Sequence, residues 1–209
     1  MARMVNGLFT GDIAPSSVIC GCIAIYKNLW PNPDETIDLI NYQCDGFNGE
    51  VFYQKAETFG RGDNQTHRTN RVLSLTNRAD VSDNKALQSI HNQFYMMLLA
   101  TTIPYARKFN IVEGLWHEGY NVLRYDKGEE YKIHYDSPTS MGRVMSAVCY
   151  LNDDFEGGEL EFPYFGVKIK PEKGMLLLFP SNFAYAHISH PVTKGSKYAL
   201  VTWIRDREL

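Results

Sequence analysis

The residue pattern predicts an α+β chain that is mainly β, with helices ahead of a sandwich or jelly roll. Two observations carry this. After Asn110 the chain breaks into short β-rich segments separated by Gly, Pro and Asp, and eight such segments at close spacing read as two packed sheets. Before Asn110, two stretches carry apolar residues at helical steps, which suits helices lying on one sheet from outside. The 209 residues, 44% hydrophobic and 22% charged, suffice for one domain with a substantial core. A single domain over 1–209 is expected, with 1–110 as an N-terminal elaboration and 111–209 as the jelly-roll core.

In order, Val18, Ile19, Ile23, Ile25 and Tyr26 make residues 17–27 the first strand, with Cys20-Gly-Cys22 as part of it. Pro33-Asp34-Glu35 opens a short helix through about Tyr42, with proline early and carboxylates in the first turn. From Glu57 to Asp83 the chain is polar, with Arg61, His67, Arg68, Arg71 and Arg78. This reads as a solvated loop, long enough to act as a lid over a site. Within it, Asn64-Gln-Thr66 and Arg61-Gly-Asp63 are loop residues rather than glycosylation or adhesion signals. Asn84 to about Arg107 is the main helix, with Leu87, Ile90, Phe94, Met97 and Leu98 as its core stripe and Pro104 bending or ending it. The eight strands follow at 119–125, 131–135, 143–151, 158–162, 166–169, 175–179, 185–189 and 198–204. The acidic cluster from Glu156 to Glu161 reads as a hydrated hairpin turn, and His117 takes no role.

The net charge of −3 gives no whole-molecule reason to expect nucleic-acid or anionic-membrane binding. Cys20, Cys22, Cys44 and Cys149 make neither a disulfide framework nor a zinc ribbon, so reduced thiols in a cytoplasmic compartment are expected. The apolar run from Val18 to Tyr26 is too short to cross a bilayer and follows no basic leader, so neither a membrane span nor an export signal is expected.

The chemistry concentrates in Tyr125-Asp-Lys-Gly-Glu-Glu-Tyr131-Lys-Ile-His134-Tyr-Asp136. On a strand, residues two apart share a face and lie roughly 6.5 to 7 Å apart along the chain, so His134 and Asp136 can grip one ion. With a second imidazole they make the two-histidine, one-carboxylate set that leaves about three positions of an octahedral Fe(II) open. The second imidazole has two candidates, His187 and His190, which face opposite ways on a regular strand. His190 directly precedes Pro191 at the apparent strand end, which favours His187.

From Leu123 to Arg205 the chain resembles the Fe(II)- and 2-oxoglutarate-dependent dioxygenases, in their prolyl 4-hydroxylase branch. The branch pattern Tyr-x-x-Gly-x-x-Tyr-x-x-His-x-Asp is matched by Tyr125, Gly128, Tyr131, His134 and Asp136. Arg143 with Tyr150-Leu151-Asn152, Gly157-Gly158-Glu159, and Phe162-Pro163 match the next elements. His187, Pro191, Val192, Lys197 and Trp203 match the last, which selects His187. The resemblance implies a double-stranded β-helix in which His134, Asp136 and His187 bind iron. It implies that Lys197, helped by the Tyr150 hydroxyl, holds the distal carboxylate of 2-oxoglutarate, and that Tyr131, Arg143, Trp203 and Arg205 line the substrate mouth. A buried lysine does need such an anionic partner; Lys194, in a Thr-Lys-Gly setting, reads as an exposed turn. O2 is the second co-substrate, and L-ascorbate an accessory reductant.

The activity so implied is hydroxylation of a prolyl residue in a peptide or protein, with release of succinate and CO2. The same chemistry on a free amino acid, another protein side chain or a nucleic acid ranks behind it. Nucleic-acid demethylases of the superfamily typically carry arginine where Lys197 stands. A non-catalytic, cupin-like binding or sensor module is the alternative of another class. Residues 1–110 match the branch only loosely, so the resemblance speaks to the chemistry more than to the substrate.

Overall fold

The computed structural model describes residues 3–5, 8–45, 53–56, 67–76, 84–111, 115–137 and 142–206. The first half contains β1 (Arg3–Val5), β2 (Leu8–Thr10), β3 (Ser17–Ile19), β4 (Ile23–Tyr26), α1 (Pro33–Asp45), β5 (Gln54–Lys55), β6 (Arg71–Ser74) and α2 (Lys85–Lys108). The second half supplies β7 (Trp116–His117), β8 (Asn121–Tyr125), β9 (Tyr131–His134), β10 (Arg143–Tyr150), β11 (Glu156–Gly157) and β12 (Leu160–Phe162). It ends with β13 (Val167–Ile169), β14 (Leu176–Pro180), β15 (His187–Ser189), β16 (Val192–Lys194) and β17 (Lys197–Arg205).

These strands form a double-stranded β-helix. The larger sheet runs β3-β4-β14-β10-β17-β8-β6-β5, with β7 also on β17, and the smaller runs β13-β12-β15-β9. The central strands of the larger sheet are buried on both faces, which is why Leu176-Leu-Leu-Phe179 is a continuous apolar run rather than an alternating one. On β10 the alternation sends Met145, Ala147 and Cys149 into one core, shared with Leu87, Phe94 and Met97 of α2 and Ile40 of α1. Val148 and Tyr150 point into the other core, against Leu160, Phe162, Ile169 and Val192. The helices therefore pack the outside of the larger sheet and leave the inter-sheet space to the small strands.

Helix α2 starts where Asn84 accepts hydrogen bonds from the N–H groups of Ala86 and Leu87, both at 3.1 Å. Pro104 lies inside the helix instead of ending it. Proline cannot donate to the carbonyl four residues back, and the freed Ala100 oxygen accepts from Ile13 N–H at 2.8 Å. An N-terminal segment thus completes the bonding that the proline interrupts.

Several expectations need correction. Residues 17–27 are two strands, because Cys20 and Gly21 take positive φ values of 49° and 79° and turn the chain. Cys20-Gly-Cys22 is the turn and not a strand fragment. The polar stretch from Glu57 to Asp83 is not wholly loop: β6 lies within it and pairs with β8. Arg61-Gly-Asp63, Asn64-Gln-Thr66 and Arg78 lie outside the described residues, as does most of the proposed lid. The acidic cluster is not a free turn either. Glu156 and Gly157 pair with β16, and Glu161 sits on β12 within 2.6 Å of His190 and 3.4 Å of Lys168. Two-residue strands carry too little pattern to be read from residues alone, so β5, β7 and β11 were not anticipated, nor was the three-residue β16.

Gly157 has a φ of +75°, and a Cβ there would fall 2.4 Å from the Pro191 carbonyl oxygen. Left-handed backbone alone costs a non-glycine residue about 1–3 kcal/mol. Gly157→Ala is therefore expected to destabilise the fold by at least that amount, read as a lower urea midpoint; an unchanged midpoint would show that the β11–β16 approach is looser than this.

Candidate active site

Strands β9 and β15 are antiparallel and set His187 directly opposite His134. Side chains of directly opposed residues leave the sheet on one face, and the two imidazole centroids are 4.2 Å apart. Asp136 follows β9, its N–H donating to the Ser181 carbonyl at 3.1 Å. Its carboxylate returns to the same face, with Oδ1 3.6 Å from His134 Nε2 and Oδ2 3.8 Å from His187 Nε2. One ligand atom from each of the three residues lies within 4.8 Å of the others.

Both histidines are oriented in one way. Nδ1 of His134 bonds the Lys132 carbonyl at 2.8 Å, and Nδ1 of His187 the Tyr185 carbonyl at 3.0 Å. A carbonyl only accepts, so each Nδ1 carries a hydrogen and each Nε2 faces inward. Burial, and then the neighbouring His187, hold the His134 pKa well below its ordinary value, so the ring is neutral. Burial opposes the charge on Asp136, yet His187, His134 and hydrogen bonds from Ser146 and Trp203 leave its pKa below the usual carboxylate value. A neutral imidazole at His134 and a carboxylate anion at Asp136 result, with His187 Nε2 facing the same point. Tyr131 lies flat on His134, ring centroids 3.4 Å apart and planes 11° apart.

The three residues stand in a cavity with an empty volume of about 540 Å³, counting its open mouth. Lys197, the first residue of β17, stands in the same cavity and is only 2% exposed. Its Nζ donates to the Gly158 carbonyl at 2.8 Å and to Ser189 Oγ at 2.6 Å, and lies 4.2 Å from the centre of the Tyr125 ring. Gly158 must be glycine for this approach: at φ +68° a Cβ would come 2.9 Å from Phe155 and 3.3 Å from Lys197 Cδ. Among the described residues no carboxylate is in ion-pair reach of this ammonium, and burial pushes its pKa down to about 7. A buried amine at this end of the cavity keeps its charge only with an anionic partner. Tyr150, 2% exposed, lines the same wall.

The remaining candidates divide. Tyr131 and Trp203 line the cavity. Arg143 instead clasps Glu118 with two bonds of 2.8 and 2.6 Å, donates to the Asp136 carbonyl at 2.9 Å, and stacks 3.9 Å from the Trp203 ring centre. Arg205, 4% exposed, also leans on Glu118 at 3.5 Å. The family resemblance put these two arginines at the substrate mouth; here Glu118 accepts two hydrogen bonds from Arg143 and lies within ion-pair distance of Arg205. His190 pairs with Glu161 on the outer side, and Lys194 is exposed beside Glu156.

Sequence reasoning missed four polar cavity residues: Arg68, Tyr125 as a wall, Ser146 and Ser189. Arg68 is 8% exposed, its guanidinium 4.6 Å from the Tyr131 ring centre. It arrives there because residues 67–69 run alongside β9, with Lys132 N–H on the His67 carbonyl and Thr69 N–H on the Glu130 carbonyl. An arginine in a polar stretch carries no sign of such a placement. Tyr125 was legible only as a motif position; burial pushes its hydroxyl up to about 12.

Residues 120–205 match the profile of the 2OG-Fe(II) oxygenase superfamily. Over this stretch the chain is similar to members of that superfamily. A probable prolyl 4-hydroxylase 9 of Arabidopsis thaliana is 39% identical over 120 residues, covering 44% of this chain and 42% of the relative. A putative prolyl 4-hydroxylase of Acanthamoeba polyphaga mimivirus is 30% identical over 111 residues, covering 44% of this chain and 46% of its own. The chain thus spans about half the length of the curated relatives it matches. Among solved structures, a Trichoplax adhaerens prolyl hydroxylase in complex with a hypoxia inducible factor peptide fragment aligns with a TM-score of 0.72 at 21% identity, over 90% of this chain and 84% of that one. The viral collagen prolyl hydroxylase of Paramecium Bursaria Chlorella virus-1, in its 2OG complex, aligns with a TM-score of 0.60 at 21% identity, over 90% and 99%. At that identity these two bear on the fold. The superfamily takes Fe(II) and 2-oxoglutarate, and the residues here fit both: a two-imidazole, one-carboxylate donor set for a first-row divalent ion, and a buried ammonium across the cavity for a carboxylate.

Burying Lys197 also has a cost in stability. Between about pH 7 and its ordinary value of 10.5 the unfolded chain holds a proton that the folded chain does not. Stability of the metal- and ligand-free protein therefore gains up to about 1.4 kcal/mol per pH unit from this group as pH rises through that window. Lys197→Met should remove this component, so that the variant exceeds the parent in stability most at pH 7 and the gap closes toward pH 10; urea unfolding across pH measures it.

Proposed function

We propose that the chain is an Fe(II)- and 2-oxoglutarate-dependent dioxygenase that hydroxylates a prolyl residue of a peptide or protein, releasing succinate and CO2. One observation carries the reading: the His134, Asp136 and His187 donors share a cavity with the buried Lys197 amine, which no described carboxylate approaches within ion-pair distance, Glu159 acting on it only from further away. The prolyl 4-hydroxylase relatives support the choice of substrate.

In this reading His134 Nε2, His187 Nε2 and the Asp136 carboxylate hold the iron. Bound there, Fe(II) with 2-oxoglutarate and dioxygen supplies the oxidising power to place a hydroxyl on an unactivated carbon. The chain's own residues bind and orient. The Nδ1 hydrogen bonds to the Lys132 and Tyr185 carbonyls fix both imidazole planes before metal arrives. Lys197 would hold the far carboxylate of 2-oxoglutarate, with Tyr150 and Ser189 beside it. A dicarboxylate restores the ammonium that burial disfavours, and the two charges offset one another's desolvation.

Tyr131 and Trp203 line the cavity and give it aromatic side chains beside which a proline ring can lie. Arg143 and Arg205, tied to Glu118, hold the Trp203 side of the cavity in place. Arg68 adds a cation over Tyr131 that can meet a peptide carbonyl. Cys20, Cys22 and Cys149 are free thiols, in keeping with a reducing, cytoplasmic setting, and no described helix is long and apolar enough to cross a membrane.

Succinate release and peptide mass, measured with Fe(II), 2-oxoglutarate, ascorbate and a proline-rich peptide, test this. The parent should give stoichiometric succinate and a peptide heavier by one oxygen; a peptide with alanine for proline should give neither. Asp136→Ala should abolish both. Lys197→Met should raise the 2-oxoglutarate KM by roughly 10- to 100-fold, the worth of a charged hydrogen bond of about 1.5–3 kcal/mol, while sparing metal binding. Tight peptide binding with no succinate would point instead to a non-catalytic module.

A further inference from the structure

Beneath the metal-facing side of Asp136 lies a pair of hydroxyls that the reaction does not consume. Ser146 Oγ is 2.6 Å from Asp136 Oδ2, and Ser181 Oγ is 2.8 Å from Ser146 Oγ. Both serines are 1% exposed. The direction of these bonds follows from the donors available. The carboxylate only accepts, so the single Ser146 hydrogen goes to Oδ2; the Ser146 oxygen then has only lone pairs to offer, so Ser181 donates to it. A buried chain runs Ser181 to Ser146 to Asp136.

Backbone geometry builds the same arrangement. The Ser181 carbonyl accepts from both Asp136 N–H and Ser137 N–H, at 3.1 and 2.9 Å, and the Ser181 N–H donates to the Val144 carbonyl at 3.2 Å. One residue after β14 thus binds the turn that carries Asp136 and feeds its hydroxyl chain. Ser146 faces the cavity with Val148 and Tyr150, at alternate positions of β10, and its cross-strand partner is Trp203, which also hydrogen-bonds Asp136. A bulge between Arg143 and Met145 shifts the register, so that Arg143, three positions from Ser146, serves the same turn through the Asp136 carbonyl.

We propose that Ser146, supported by Ser181, is a positioning residue that keeps Asp136 a one-oxygen ligand. The two carboxylate oxygens stand at similar distances from the two histidines, Oδ1 3.6 Å from His134 and Oδ2 3.8 Å from His187, so nothing in the triad itself selects between them. Hydrogen bonding draws electron density from Oδ2 and holds it toward β10, leaving Oδ1 as the better donor. A carboxylate that chelated through both oxygens would occupy a position that a keto acid and dioxygen need. This inference rests on the iron-site reading above and deepens it.

Mn(II) alone serves as the probe, added to metal-free protein under argon. Affinity is read by the electron paramagnetic resonance of free Mn(II), and bound water by line broadening in oxygen-17 water. In Ser146→Ala, Mn(II) binding is expected to weaken roughly 10- to 100-fold, as for loss of other groups that orient a ligand, and the bound ion to carry one exchangeable water fewer. Ser146→Thr, which keeps the hydroxyl, should restore both, and Ser181→Ala should show the same changes to a smaller degree. Parental affinity and water count in Ser146→Ala would overturn the proposal. So would a lower melting temperature of metal-free Ser146→Ala with metal binding unchanged, since the hydroxyl would then serve packing alone. Absence of Mn(II) binding in the parent protein would instead sink the iron-site reading and this one with it, a result seen before any variant is made.

Discussion

The pairing of β9 with β15, which puts His187 opposite His134, is the constraint on which the rest of the site depends. A slip of one residue would send one imidazole to the far face of the small sheet, because strand side chains alternate. The register is pinned from several sides. Ser189 pairs with Tyr131 in the same ladder, β12 pairs with β15 beyond it, and residues 67–69 bond the open edge of β9. Tyr131 in turn stacks on His134. The opposition of the two imidazoles is therefore a property of sheet pairing, with Asp136 brought to them by the turn that follows β9.

The double-sided burial of the larger sheet serves the same end. Helix α2 and helix α1 cover one face, so β8, β10 and β17 can give their other face wholly to the inter-sheet space. That space is where a lysine can be buried with a perturbed proton affinity, and where a carboxylate such as Asp136 can be fixed by buried hydroxyls. Polar groups in an apolar interior are costly unless partnered. Here the chain supplies hydroxyl donors for Asp136, and for Lys197 the Gly158 carbonyl and the Ser189 hydroxyl.

Arg143, Glu118 and Arg205 make a second polar cluster, placed behind Trp203 and the Asp136 turn. It links β7, β10 and β17 at one end of the larger sheet. The family resemblance suggested arginines lining a substrate mouth, and arginine in isolation carries no sign of what will neutralise it. Glu118, two positions before Tyr120 and in no motif, supplies the answer through space.

The sequence by itself determined the elements with strong period and the residues whose chemistry is local. The helical stripe of α2, the apolar runs of β10, β14 and β17, and the His-x-Asp spacing on a strand are all short-range properties, legible because side-chain direction repeats every two or 3.6 residues. The motif positions of His187 and Lys197 were legible through likeness to a family, and the structure places both in the cavity with His134 and Asp136. Tertiary structure alone decided what crosses between strands: the opposition of His134 and His187, the seat of Arg68 on Tyr131, the Ser181–Ser146 chain beneath Asp136, and the diversion of Arg143 and Arg205 to Glu118. It also decided that Cys20 and Gly21 turn the chain and that Pro104 can stay within a helix once Ile13 takes up the freed carbonyl. Each of these depends on a partner far away in the chain, and the register that brings such partners together is set by how whole sheets and helices pack, which no local window of residues encodes.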